Sequence, residues 1–259
     1  MGGRLEFKYL VPNDLLHRLR CDLHPYIERD PFWERSATSE YTVRSIYYDS
    51  LRLDRYFEKL DGVAMRTKVR IRGYDRPDDS SIVYLELKKR SINFIYKHRA
   101  PLRHRDLAAF VAAPDVDKYI IPLSGTSQEA HAARRFLYHY HRYRLQPAVL
   151  VVYDREAYVG KFDSSLRLTF DKKLRQATFP SLSMLYDEHG LAGSMRQHFI
   201  FEVKFFRGAL PAWVLSVIKR YALPRMALSK YAICLESHQR SLASPRAGGK
   251  AVLPVSTLA

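Results

Sequence analysis

Short stretches of the chain alternate bulky apolar with charged residues at a period of two, most clearly in Lys68-Val69-Arg70-Ile71-Arg72. In a β-strand the side chains at i, i+2 and i+4 share a face, so Lys68, Arg70 and Arg72 point one way and Val69 and Ile71 the other. Glu6 and Lys8 stand out in the same way from Leu5-Glu6-Phe7-Lys8-Tyr9, Glu86 and Lys88 from Tyr84-Leu85-Glu86-Leu87-Lys88, and Glu202 and Lys204 from Phe201-Glu202-Val203-Lys204-Phe205. Lys97 with Arg99, then Arg155, then Arg167 continue the series. Any one of these reads as an ordinary amphipathic strand with its charged face in water. Their recurrence suits an α+β fold: a closed eight-stranded antiparallel β-tunnel with a charged lumen, its apolar exterior covered by peripheral helices.

The remaining periodicities supply the covering. After a strand from Arg4 to Val11, Pro12-Asn13-Asp14 opens a helix carrying Leu15, Leu16, Leu19 and Leu23 at helical spacing, which ends near Pro25. Residues 26–40 lack a period, and strand character returns from Glu40 to Asp49. A short helix from Leu51 to Leu60 ends at Asp61-Gly62. Strands over Val63 to Tyr74 and Ser81 to Arg90 flank the turn-rich Asp75 to Ser80, and a third runs from Ile92 to Leu102. Helices over Arg105 to Ala113 and Ser127 to Leu145 resemble an insertion between two barrel halves. Strands resume at Ala148 to Val159, Ser165 to Asp171 and His198 to Phe206, with a polar loop over 180–196 before the last. Pro211 begins an amphipathic helix to Tyr221, and a second runs from Arg225 to His238. Residues 1–238 read as a single domain and 239–259 as a flexible tail.

Composition narrows the chemistry. The 259 residues, 47% hydrophobic and 13% aromatic, can bury a large core. Lys and Arg number 43 against 27 Asp and Glu, a formal charge of +16 that selects a polyanionic partner: nucleic acid, an anionic membrane or a phosphorylated small molecule. Cys21 and Cys234 match no metal spacing. No run of about 18 apolar residues and no secretory signal pattern are present, so the chain reads as cytoplasmic, with no transmembrane segment. Neither a Gly-x-x-x-x-Gly-Lys-Ser/Thr loop nor Gly-x-Gly-x-x-Gly occurs, so phosphate must be held by side chains. His139 and His141 are two apart on a helix and face different sides, which speaks against a histidine metal site with His131.

Arg4-Leu5-Glu6-Phe7-Lys8-Tyr9, Ser45-Ile46-Tyr47-Tyr48-Asp49, Lys68-Val69-Arg70-Ile71-Arg72, Leu85-Glu86-Leu87-Lys88, Glu202-Val203-Lys204 and Ser229-Lys230-Tyr231 occur in that order over residues 4–236. In this the chain resembles the VTC domain, the polyphosphate polymerase branch of the triphosphate tunnel metalloenzymes (CYTH-like). The resemblance implies a tunnel in which basic side chains and a divalent metal, Mn²⁺ or Mg²⁺, grip ATP and pass its γ-phosphoryl group to inorganic polyphosphate or pyrophosphate. Lys8, Arg70, Arg72, Lys88, Lys97, Arg155, Arg167, Lys204 and Lys230 are then the phosphate ligands, joined by Lys68 and Arg99 from the same charged stripes. Of these, Lys8, Arg70, Arg72, Lys88, Arg155, Arg167 and Lys230 are the expected catalytic set. Glu202 is implied as principal metal ligand in a solvated lumen, while Glu6 and Glu86 either join it or orient lysines and water.

The residue types agree with phosphoryl transfer. The reaction needs in-line positioning and neutralisation of charge spread over phosphate oxygens. Arg offers a planar fork and Lys a compact charge. Carboxylate oxygens suit a hard divalent cation. Two other classes remain open at this stage: a tunnel phosphohydrolase, either a tripolyphosphatase or a nucleoside triphosphatase, and a non-catalytic polyphosphate- or polyanion-binding module. No nucleic-acid partner is expected, because the basic residues alternate with apolar ones in strands instead of lying among exposed aromatics. A membrane partner protein is compatible with such a module.

Overall fold

A computed structural model describes residues 5–31, 40–78, 80–91, 94–125, 127–206 and 210–243. Its strands are β1 (Leu5–Pro12), β2 (Ile27–Arg29), β3 (Tyr41–Asp49), β4 (Met65–Tyr74), β5 (Ile82–Ser91), β6 (Phe94–Arg103), β7 (Gln146–Gly160), β8 (Arg167–Thr178), β9 (Ala192–Gly193) and β10 (His198–Phe205). The helices are α1 (Leu16–Leu23), α2 (Asp54–Leu60), α3 (Leu107–Ala112), α4 (Val116–Tyr119), α5 (Gln128–Arg142), α6 (Ala212–Arg220) and α7 (Lys230–Ala243). Eight strands form one antiparallel sheet in the order β1-β10-β8-β7-β3-β4-β5-β6; β2 adds to β7 and β9 to β8.

The period-two pattern decides which face goes where. Val69, Ile71, Leu85 and Leu87 of β4 and β5 are buried beneath α3 and α5, in a core with Phe110, Ala133 and Phe136. Tyr9, Val11, Phe170, Phe199, Phe201 and Val203 of β1, β8 and β10 are buried beneath α1 and α6. Each such aliphatic side chain contributes about 1.5–3 kcal/mol on burial, enough to fix the register, since a one-residue slip would put the lysines and arginines into these cores.

The sheet curls so that its charged face is concave, but it does not close. The end strands β1 and β6 share no ladder among the described residues. The free edge of β1 is taken instead by the segment before α7: Tyr9 bridges Arg225, and the Met226 N–H donates to the Lys8 carbonyl at 2.9 Å. At that point the β1 backbone is already engaged, so a neighbouring strand cannot pair there. The opening is spanned by side chains, with Lys88 Nζ of β5 3.7 Å from Glu6 Oε2 of β1.

Other elements differ from the sequence pattern in instructive ways. The strand expected to end at Asp171 continues to Thr178, past a left-handed Lys173 (φ 49°) that interrupts the alternation where the β7 register shifts between Val152 and Asp154. The last helix begins at Lys230, not Arg225, because Arg225 is held in the bridge to β1, and it runs to Ala243. A short strand, β2, lies within the aperiodic 26–40 region, of which residues 32–39 lie outside the described residues. Ile92 and residues 244–259 of the expected tail also lie outside them.

Helix α7 packs inside the curl. Tyr231, Ala232, Cys234 and Leu235 meet Val43, Tyr47, Val149, Val151 and Tyr153 on the concave face. Asp49, at the end of β3, fixes the junction: its carboxylate accepts the backbone N–H groups of Ser50, Arg55 and Tyr56, and the Tyr231 hydroxyl donates to it as well. Two motif fragments far apart in the chain thus meet at one carboxylate, and Lys230 at the start of α7 is aimed into the charged face.

Candidate functional site

Strand register gathers the charges into rows. Lys68 of β4 lies opposite Lys88 of β5, which lies opposite Lys97 of β6. One step along are Tyr47, Arg70, Glu86 and Arg99, and beyond them Ser45, Arg72 and Tyr84. Across the curl, Glu6 faces Lys204 and Lys204 faces Arg167, while Lys8 faces Glu202 and Glu202 faces Thr169. Arg155 faces Asp171 on the same surface.

Two buried carboxylates organise the cations. Glu86, 1% exposed, accepts Arg70 Nε at 2.7 Å and has Lys97 Nζ at 3.1 Å, Arg99 Nε at 3.3 Å and Arg72 Nε at 3.9 Å. Burial alone would raise its pKa, but Arg70, Arg72, Lys97 and Arg99 hold it well below the usual 4.5. Glu202, 3% exposed, is ringed by Lys230 at 2.7 Å, Lys204 at 3.0 Å, Lys8 at 3.6 Å and Arg155 at 3.8 Å. Burial again opposes ionisation, and Lys230, Lys204, Lys8 and Arg155 outweigh it, keeping Glu202 well below 4.5. The expected solvated glutamate is therefore a buried hub.

Asp171 is the residue the strand pattern missed. It accepts Arg155 in bidentate fashion, Nε at 2.5 Å and Nη2 at 2.7 Å, and also pairs with Lys230. The signal was present: Arg167, Thr169 and Asp171 alternate with Leu168 and Phe170. Between Asp171 and Glu202 the Lys230 ammonium is raised above its ordinary 10.5, although burial opposes its charge. Tyr47, which accepts Arg70 Nη1 at 2.7 Å, and Ser229, which accepts Lys68 Nζ at 2.8 Å, are further polar members of this face.

The lysine row is the least compensated part of the site, and Lys68 is its unpaired member among the described residues. Burial, then Lys8, Lys88, Arg70 and Arg66, push the Lys68 pKa well below 10.5, and among the described residues no carboxylate lies within ion-pair distance of it. Lys88 and Lys97 are also lowered, first by burial; Glu6 partly offsets this at Lys88, and Glu86 at Lys97. Like charges directly opposite one another across strands are destabilising. Lys68 therefore costs stability at every pH where it is charged in the fold, and the cost fades as pH rises from its depressed value toward 10.5. Lys68→Met is expected to raise the thermal midpoint of the ligand-free protein near neutral pH by a few degrees, a gain of about 1 kcal/mol, while weakening polyanion binding. A lower midpoint in calorimetry would show that the row is already balanced.

The expected phosphate ligands Lys8, Lys68, Arg70, Arg72, Lys88, Lys97, Arg99, Arg155, Lys204 and Lys230 thus come together on the concave face. Arg167 is on the same face but at its rim, paired with Asp30 of the β2 turn. Of the expected metal ligands, Glu6 and Glu202 are neighbours that share Lys8, at 2.9 and 3.6 Å, whereas Glu86 sits in its separate arginine cluster. Beside Glu202 in the register, Thr169 Oγ1 is buried without a hydrogen-bond partner. Glu202, Glu6 and Thr169 offer hard oxygen donors of the type Mn²⁺ or Mg²⁺ takes, while both carboxylates are engaged by lysines and Arg155. Among the described residues no group of three acidic, histidine or cysteine side chains converges to hold a metal by itself.

The family model for the VTC domain matches residues 3–238 of the chain. No curated relative matches. Among solved structures, the chain is similar to a Bacillus halodurans protein described as a candidate adenylate cyclase, at 12% identity and a TM-score of 0.49, covering 88% of this chain and 96% of that one. It is also similar to a Hippeastrum protein described as a candidate adenylyl cyclase with a dominant triphosphatase activity, at 14% identity and a TM-score of 0.46, covering 90% and 95%. Similarity at this level bears on neither the substrate nor the reaction of this chain.

Proposed function

The chain belongs to the VTC domain family, and from that membership and the charge on its concave face we propose that it is a metal-dependent polyphosphate polymerase. It transfers the γ-phosphoryl group of ATP to the end of a growing inorganic polyphosphate, or to pyrophosphate as a first acceptor. The observation that carries this reading is the row Lys68, Lys88 and Lys97 beside Arg70, Arg72 and Arg99: an extended set of cations, short of counter-charge, on the inside of a curled sheet. A linear polyanion supplies the missing charge along that whole length. A single compact anion would cover only part of it.

In this reading the arginines grip phosphate oxygens through their forks, and Glu86 keeps Arg70 and Arg99 extended toward the substrate. The lysines neutralise the developing charge. The bond from the γ-phosphorus to the β,γ-bridging oxygen breaks as a terminal oxygen of the acceptor bonds to phosphorus, and ADP leaves. No protein nucleophile is needed, so the work of the chain is alignment and electrostatics. Glu202 and Glu6 would hold Mn²⁺ or Mg²⁺, which adds charge neutralisation at the triphosphate when bound. Lys230, locked by Asp171 and Glu202, positions the transferring group without serving as a base, because its proton is held firmly.

Purified protein incubated with ATP and Mn²⁺ is expected to yield ADP and long polyphosphate resolved on a gel. ADP and orthophosphate without polymer would assign a hydrolase instead. No turnover at all would leave a binding module.

A further inference from the structure

The outer wall of the sheet carries a second, separate cluster of cations. Along α5, His131, Arg134, Arg135, Tyr138 and His139 recur at the i, i+3, i+4, i+7, i+8 spacing that places them on one face, beside the buried stripe of Ala132, Ala133 and Phe136. With Lys89 of β5 and His98 of β6 they line a cleft of about 350 Å³, on the opposite side of the sheet from the lysine row. That volume is in the range of small-molecule sites. No carboxylate among the described residues lines it. Arg134 reaches Asp117 at 3.2 Å, an exposed pair, but Arg135 and Lys89 have no ion-pair or hydrogen-bond partner among the described residues.

We infer that this cleft is a second phosphate-anion site, taking a compact inorganic anion of two or three phosphoryl groups. Three observations converge on an anion. The lining holds three fixed cations and three imidazoles with no acidic group. Among the described residues His139 Nδ1 is buried without a hydrogen-bond partner, and it becomes a donor once the ring is protonated beside an anion. The imidazoles also register the excess charge: burial and then Arg135 lower His98, and burial followed by Arg55, Lys89, Arg135 and His98 lowers His139. Arg55 approaches from α2 but is paired with Glu58, and the remaining groups facing His139 are cations or neutral rings. The Lys89 ammonium and the Arg134 and Arg135 guanidinium forks suit phosphoryl oxygens at several spacings. The inference does not depend on the reaction in the curl, only on the outer wall.

The test uses the full chain and tripolyphosphate, without metal, by isothermal titration. Two binding events per chain are expected. Arg134→Ala/Arg135→Ala, at exposed positions whose loss spares the cores, should weaken one of them by about tenfold or more per lost charge-assisted contact and leave polymer synthesis from ATP intact. In parallel, the ring ¹⁵N resonances of His98 and His139 should move toward imidazolium on adding tripolyphosphate to the wild type, and also to an Arg70→Ala/Lys88→Ala variant crippled on the concave face. A single event that vanishes in Arg70→Ala/Lys88→Ala, with unmoved His98 and His139 resonances, would overturn the outer site. A single event insensitive to Arg70→Ala/Lys88→Ala but lost in Arg134→Ala/Arg135→Ala would instead keep the outer site and sink the proposed role of the concave face.

Discussion

Glu202→Gln is expected to lower the unfolding free energy by about 3–5 kcal/mol and to stop turnover. The side chain is 3% exposed and its charge is shared by Lys230, Lys204, Lys8 and Arg155, so a neutral amide leaves those cations facing one another at low dielectric. Asp171 still holds Lys230 and Arg155, which places the expected loss toward the lower end of that range. Tripolyphosphate should then recover more thermal stability in the variant than in the wild type, because phosphate oxygens can replace the missing carboxylate. Urea unfolding with and without tripolyphosphate reads both effects. Wild-type stability together with wild-type turnover would remove Glu202 from the centre of the site.

Lys230→Ala has the opposite charge sense and a comparable size. Lys230 is 8% exposed between Asp171 and Glu202, and its removal leaves two buried carboxylates repelling each other, again worth about 3–5 kcal/mol. In the surviving folded protein the rate of polymer synthesis should fall by more than nucleotide affinity does, since the arginine cluster around Glu86 that grips phosphate is untouched. Lys219→Ala and Arg220→Ala on α6 serve as comparators. Lys219 is exposed and Arg220 makes only an exposed pair with Asp22, so each should stay within about 0.5–1 kcal/mol of wild type with unchanged kinetics. Equal behaviour of the three variants would reduce α7 to packing.

The charged strands were legible in the sequence because a period of two is a one-dimensional signature: Lys68 to Arg72 places Val69 and Ile71 on the far face whatever the fold does elsewhere. The covering helices were legible for the same reason, since Leu19 and Leu23, or Val214 and Val217, repeat at helical spacing. Closure was not legible. Whether β1 meets β6 depends on what else competes for the edge of β1, and the competitor, Arg225 and Met226, reads in sequence as the start of a helix. Nor does amphipathicity say which surface a helix covers, so the placement of α7 inside the curl, with Lys230 buried at its start, emerges only from the packing of Tyr231 against Tyr47 and Asp49. Asp171 does not stand out in the sequence because it is the single acid at the end of the stripe Arg167-Thr169-Asp171, whose alternation fails at Lys173. The burial of Glu202 follows from the convergence of four strands and one helix, which no local window contains.

The central claim is that phosphate lies along the row of Lys68, Lys88 and Lys97, and proton linkage measures it most directly. These lysines are held below their ordinary pKa first by burial and then by neighbouring cations, Arg70 in each case, so a polyanion laid across them must raise their proton affinity, and binding must take up protons at pH values between their depressed pKa and the ordinary 10.5. Titration calorimetry with tripolyphosphate in two buffers of different ionisation enthalpy gives that number for the wild type and for Lys68→Met. The account predicts net uptake in the wild type and a smaller uptake in Lys68→Met, whereas identical proton counts in the two proteins would place the phosphate somewhere other than on the lysine row.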